Sequence, residues 1–213
     1  METPRLLIAT TNPAKLAEYR LILRALDLEL VSLAEVGISE APEENGATFT
    51  ENAMIKARFY FQRAHIPTLA DDGGLEIDAL GGEPGVRSHR WLKSGREDSD
   101  QGLVNEVMRR MEGVEASRRS ARIRATLALT YEADGRVRER TAEGAIEGVI
   151  GAHAYREVRA GFPYRAVLYI PERNCFLGEL GDEEEAQISQ RRIALRMLRD
   201  DLERIAAGAE ARL

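Results

Sequence analysis

Leu69-Ala70-Asp71-Asp72-Gly73-Gly74-Leu75-Glu76-Ile77-Asp78 is the stretch on which the fold turns. An apolar run from Ile66 to Ala70 stops at two adjacent carboxylates, two glycines follow, and an alternating segment comes next. That order predicts a strand, a sharp turn and a second strand. Acids at the end of a buried strand stand where an α/β protein exposes its chemistry. Two neighbouring aspartates repel, and a bound divalent cation removes that cost. Hard oxygen ligands without a thiolate suit Mg²⁺, with Mn²⁺ as the second choice. Gly73 and Gly74 let a substrate come close to the backbone. The competing reading is an ordinary acidic turn, since Asp and Gly are also common turn residues.

Composition narrows the function classes. The 213 residues suit one large domain or two small lobes, and 44% hydrophobic content supplies a core. A net charge of −6 argues against a nucleic-acid platform built on bulk positive charge. The single cysteine, Cys175, excludes an internal disulfide and a thiolate zinc cluster, and the three histidines fall at no metal-ligand spacing. The apolar run Leu6 to Ala9 is too short for a signal or membrane segment, so no membrane partner and a cytoplasmic location are expected.

Working outward, Arg5 to Ala9 reads as a strand followed by Thr10-Thr11-Asn12-Pro13-Ala14-Lys15. Asn12 suits a helix N-cap and Pro13 the first helical position. A helix N-terminus with free N–H groups, Lys15 and the Thr10 and Thr11 hydroxyls forms an anion site, although a plain capped helix reads the same way. Glu29 to Leu33 is a second strand. Glu43 and Glu44 lie in an acidic loop, and Thr48 with Glu51 has capping-box spacing ahead of a helix to about Ala64 that carries Lys56. Further on, the pattern predicts a helix over 99–111, a hairpin around Asp134-Gly135, a strand over 166–170, and one helix over 189–206 with Ile193, Leu195, Leu198, Leu202 and Ile205 on its stripe. The tail after Gly208 is expected to fray.

Four blocks in order carry a family resemblance: Ala9-Thr10-Thr11-Asn12 with Lys15; Thr48-Phe49 with Glu51-Asn52-Ala53 and Lys56-Ala57; Ala70-Asp71-Asp72 with Gly74-Leu75; and Ala79-Leu80-Gly81-Gly82 with Pro84-Gly85-Val86. With them the chain resembles the Ham1 (RdgB-like) family of inosine triphosphatases, which act on non-standard purine nucleoside triphosphates. The resemblance covers essentially the whole chain and is specific up to about Val86. It implies an α/β fold in which a long mixed β-sheet with flanking helices forms two lobes around a central cleft, as a single domain over 1–213. It also implies cleavage of a nucleoside triphosphate into monophosphate and pyrophosphate, a need for Mg²⁺, and a homodimer.

Carried over by residue, the resemblance implies that Thr10, Thr11, Asn12, Lys15 and Lys56 hold phosphates. Glu43, with Glu44 as its alternative, and Asp72 would bind metal. Asp72, with Asp71 beside it, would be the catalytic carboxylate. Gly73 stands where many members carry Ser, so a hydroxyl is lost and a backbone N–H kept.

The base-recognition half departs from the family. Where members read Gly-Phe-Gly-Tyr-Asp-Pro, this chain reads Gly161-Phe162-Pro163-Tyr164-Arg165-Ala166. Where they carry a Lys three residues before Ile-Ser-His-Arg, it has Glu185 and then Ile188-Ser189-Gln190-Arg191. An acid has become Arg165 and a base Glu185. This exchange of signs predicts a retained pair of reversed polarity, altering what Phe162, Tyr164, Gln190 and Arg191 offer a base; the competing reading is that both are solvated and the region has merely drifted. Two other readings stay open: a Maf-like pyrophosphatase on modified pyrimidine nucleotides, and a nucleotide-binding protein without turnover.

Overall fold

In the computed structural model, which describes residues 3–92 and 98–208, the first strand shows how the sheet is built. Along β1 (Arg5–Ile8), Leu6 and Ile8 pack into one apolar cluster, while Leu7 and the following Ala9 pack into another. Side chains alternate across a strand, so an unbroken apolar run means both faces are covered. One cluster is completed by Tyr19 and Leu23 of α1 (Pro13–Leu23) and by Leu195, Leu202 and Ile205 of α5 (Gln190–Met197) and α6 (Arg199–Ala206). The other is completed by Ala53, Ala57 and Tyr60 of α2 (Phe49–Ala64), whose small residues bring the helix close to the strands.

The expected mixed α/β fold is present. Among the described residues seven strands take the order β2-β1-β3-β4-β5-β6-β7. The others are β2 (Glu29–Ser32), β3 (Thr68–Ile77), β4 (Ser120–Ala133), β5 (Arg136–Ile150), β6 (Leu168–Ile170) and β7 (Cys175–Phe176). β1 pairs in parallel with β2 and β3, whereas β6 is antiparallel to both β5 and β7. The chain divides into two compact units, one of residues 1–72, 125–144 and 191–213, the other of 73–124 and 145–190. The second unit has its own core, in which Leu75, Ile77 and Ile150 pack with Leu103 and Val107 of α3 (Asp100–Arg110) and with Val167 and Leu168.

Three sequence expectations are corrected. Asp71-Asp72-Gly73-Gly74 is no turn: β3 runs through it without a break. Gly74 is there for close approach, because a Cβ would fall 1.8 Å from Ser88 Oγ, the atom that accepts the Leu75 N–H. Close approach also accounts for Gly148 within β5, where a Cβ would fall 2.5 Å from the backbone carbonyl oxygen of Tyr169. The single helix expected over 189–206 is instead α5 and α6, parted at Leu198 and preceded by a short α4 (Asp182–Ile188) with Ser189 extended between, and Ile193 is exposed rather than on the buried stripe. The tail after Gly208 lies outside the described residues.

Candidate active site

The continuity of β3 sets the site. Because successive side chains point to opposite faces, Asp71 follows Leu69 onto the α1–α5 face and Asp72 follows Ala70 onto the α2 face. The two carboxylates therefore meet different partners, and their repulsion is relieved separately.

Asp71 is buried. Its Oδ2 lies 3.1 Å from Lys15 Nζ on α1 and accepts from Arg191 Nε and Nη2 at 3.1 and 2.9 Å at the start of α5. Arg191 also donates to Glu18 Oε2 at 3.1 Å, and its guanidinium lies over the Tyr19 ring. Burial pushes the Asp71 carboxyl upward, but Lys15, Arg191 and Lys56 outweigh it and hold the group well below the usual carboxylate range. Burial pulls the Lys15 ammonium down, with Asp71 opposing it. Asp71 Oδ1 is buried and accepts no hydrogen bond from the described residues.

Asp72 meets α2. Its Oδ2 accepts from Asn52 Nδ2 at 3.1 Å, and its Oδ1 lies 3.5 Å from Lys56 Nζ. Asn52 and Lys56 are four residues apart and so share one helix face. Lys56 Nζ also donates to Glu44 Oε2 at 2.7 Å. Burial works against the Lys56 charge, but Asp72, Glu44 and Asp71 together raise its pKa. Lys15 in turn feels both Lys56 and Asp72, so the two faces form one electrostatic cluster.

The helix that begins beside this cluster is capped as its sequence dictates. Asn12 Oδ1 accepts from the Ala14 and Lys15 N–H groups at 2.9 and 3.3 Å, Thr10 Oγ1 accepts from the Asn12 N–H, and Thr11 is exposed. Of the two candidate glutamates, Glu44 approaches Asp72 through Lys56, while Glu43 is exposed. Among the described residues no three His, Cys, Asp or Glu side chains form a metal group. That donor count still fits a hard cation arriving with a triphosphate, because Mg²⁺ takes one or two carboxylates and fills its shell with phosphate and water.

In the second unit Arg165 and Glu185 form a buried ion pair, as the exchange of signs predicts. Arg159 Nη1 donates to the other Glu185 oxygen at 3.0 Å and to Asp182 at 2.8 Å. The Arg165 guanidinium lies 3.4 Å from the centroid of the Phe162 ring. Tyr164 is buried, donates to the Ser88 carbonyl, and has its phenol pushed far up by burial. Gln190 is buried as well, and its Oε1 has no hydrogen-bond partner among the described residues. Gly73 continues β3 at the start of this unit.

Comparison with known proteins agrees with the fold. The Ham1 family model matches residues 6–201, almost the whole chain. The chain belongs to the Ham1 family. This Ham1-family chain is 37% identical over 197 residues to a dITP/XTP pyrophosphatase of Bacillus subtilis, covering 92% of the chain and 96% of that protein. It is 40% identical over 194 residues to a dITP/XTP pyrophosphatase of Thermus thermophilus, covering 91% and 89%. Among solved structures, a Ham1 protein from Coxiella burnetii superposes with a TM-score of 0.79 at 34% identity, covering 93% of this chain and 98% of that one.

Two participants carried no assigned role in the sequence reading of this Ham1-family chain. Asn52 entered only as a member of the second family block, with no role attached to it. Glu18, three residues after Lys15, is the second carboxylate on Arg191, a pairing no local pattern announces.

Proposed function

We propose that this Ham1-family chain hydrolyses a non-standard purine nucleoside triphosphate to the monophosphate and pyrophosphate, with Mg²⁺ as cofactor. The chain is a nucleoside triphosphate pyrophosphatase, a hydrolase of acid anhydrides, in common with relatives 37 and 40% identical to it that bear that name. The observation that carries the reading is the Asp72 environment. One carboxylate is held by Asn52 on one oxygen and faces an ammonium on the other, with Glu44 on the same ammonium.

In the proposed reaction, the N–H groups at the start of α1, Lys15 and Lys56 bind the phosphate chain and balance its charge. Asp72 Oδ1, the oxygen not engaged by Asn52, orients a water molecule and accepts its proton. The water oxygen bonds to the α-phosphorus as the bond to the bridging oxygen breaks, and pyrophosphate leaves. Asp72 with Glu44 or Glu43 would hold Mg²⁺, which when bound neutralises phosphate charge and polarises the phosphoryl group.

We assign the base to Phe162, Tyr164, Arg165, Glu185 and Gln190. Because Arg165 is tied to Glu185, the donors and acceptors left for a base differ from those of an Asp, Lys and His set, so preference for ITP or XTP over GTP, whose guanine is also a 6-keto purine and differs at C2, should be weakened. We also propose a homodimer. The experiment is a panel of ITP, dITP, XTP, GTP and ATP with Mg²⁺, reading pyrophosphate and orthophosphate separately. Pyrophosphate with monophosphate, strongest for the non-standard purines, is expected; orthophosphate alone, or no release, refutes the reading.

A further inference from the structure

Asn52 is 2% exposed and sits in the first turn of α2, where a solvent-facing polar residue would be ordinary. Both ends of its amide are used. Its Oδ1 accepts the backbone N–H of Gly46 at 2.8 Å, and its Nδ2 donates to Asp72 Oδ2 at 3.1 Å. The first bond decides the second. A backbone N–H needs an acceptor, so the amide oxygen must face Gly46, and the NH₂ group is then obliged to face Asp72. Gly46 is adapted to this contact: a Cβ there would fall 2.7 Å from Asn52 Oδ1 and 2.7 Å from Glu51 Cβ. Gly46 follows Glu44 by two residues in the acidic loop, and Glu44 reaches Lys56, which faces the free oxygen of Asp72.

We propose that Asn52 is a positioning residue that sets the Asp72 carboxylate and the Glu44 loop against each other. One planar amide spans the strand carboxylate and the loop backbone, so it fixes the rotation of Asp72 about its side chain and the height of the loop at once. With Oδ2 occupied by Asn52, Oδ1 is the oxygen left to face Lys56 and the reacting groups. This rests on the proposed hydrolysis only for its kinetic consequence; the positioning itself is a statement about geometry.

The loop has a second anchor that does not touch Asp72. Glu51 Oε2 accepts the Ala47 N–H at 2.6 Å, and the Glu51 N–H is capped by Thr48 Oγ1. Glu51→Ala therefore removes one loop anchor and leaves both bonds of Asn52 in place, whereas Asn52→Leu, of similar volume, removes the Asn52 anchor of the loop and the bond to Asp72 together. A lost hydrogen bond to a charged group corresponds to roughly 10- to 100-fold. Asn52→Leu should lower kcat by about that factor while KM for the triphosphate changes less than about threefold, and Glu51→Ala should keep kcat within about threefold. A merely structural Asn52 would give parallel losses in both variants, tracking their melting temperatures. Crystal structures of the two variants supply a readout independent of turnover. Asp72 rotated away from its position in Asn52→Leu but not in Glu51→Ala supports the proposal. An unmoved Asp72 in Asn52→Leu, wild-type kcat in that variant, or equal losses in both overturns it. If the wild-type protein releases no pyrophosphate, the proposed reaction falls and the Asp72 rotation alone decides the role of Asn52.

Discussion

Replacing Asp71 with Asn tests how far the first carboxylate is a structural counter-ion. The substitution keeps shape and removes one negative charge from between two buried cations. Arg191 would retain Glu18, at 3.1 Å, but Lys15 would lose the ion pair that compensates its burial. Leaving a buried charge without its partner costs about 3–5 kcal/mol. For a chain of this size each kcal/mol moves the melting temperature by about 2–4 °C, so Asp71→Asn should melt roughly 6–20 °C below wild type at pH 7. The pH dependence has a definite sign. Asp71 is depressed in the folded state, so its contribution is complete above the unfolded carboxylate value, near 3.8, and is lost as pH falls toward the lower folded value. The gap between wild type and variant should therefore be constant from about pH 5 to 7 and shrink below about pH 4. Adding Lys15→Met to the variant removes the stranded ammonium and should recover part of the loss, read as coupling in a double-mutant cycle. Thermal melts of the four proteins across pH decide the matter. An Asp71→Asn protein that melts within about 2 °C of wild type, corresponding to no more than about 1 kcal/mol, would refute this account of the ion pair.

Asp72→Asn should reduce pyrophosphate release by at least about 100-fold, the low end for losing a general base, and leave the melting temperature nearly unchanged because it is close to isosteric. Lys15→Ala should raise KM for triphosphates by a similar factor whatever their base, checked across the nucleotide panel. Glu185→Gln breaks the buried ion pair with Arg165 and should cost about 3–5 kcal/mol in urea unfolding, and the ITP-over-GTP ratio of the wild type should be modest; a strong selective preference for ITP and XTP would show that the rewritten residues are silent. Light scattering at micromolar protein should give twice the chain mass, and a monomer would remove the proposed homodimer.

Much of the first unit was legible because its signals are local. Asn12, Pro13, Thr48 and Glu51 mark helix starts by hydrogen bonds that span only a few residues, and the structure makes those bonds. The run through Asp71 to Gly74 was misread because Gly-Gly is a local turn signal, while the reason for Gly74 is Ser88, fourteen residues away in sequence and unseen until the chain folds. The distinction between Glu43 and Glu44 was equally hidden: the two are neighbours in one loop, and that Glu44 is the one to reach Lys56 shows only in the folded chain. Arg165 with Glu185 could be found at a distance because a reversed pair leaves a trace in both of its members. No such trace attaches to Glu18, whose partner Arg191 lies across the chain.

The passage of β3 straight through both aspartates has a consequence for how this gene can change. Which carboxylate serves which helix is a matter of parity. A single-residue insertion between Thr68 and Asp71 would set Asp71 where Asp72 now faces Lys56 and carry Asp72 one pleat beyond Lys15, leaving Lys15 without its carboxylate though every residue of the motif would still be spelled correctly. The length of this strand is locked as firmly as its two aspartates, and an alignment that places an odd gap there has misaligned the chemistry.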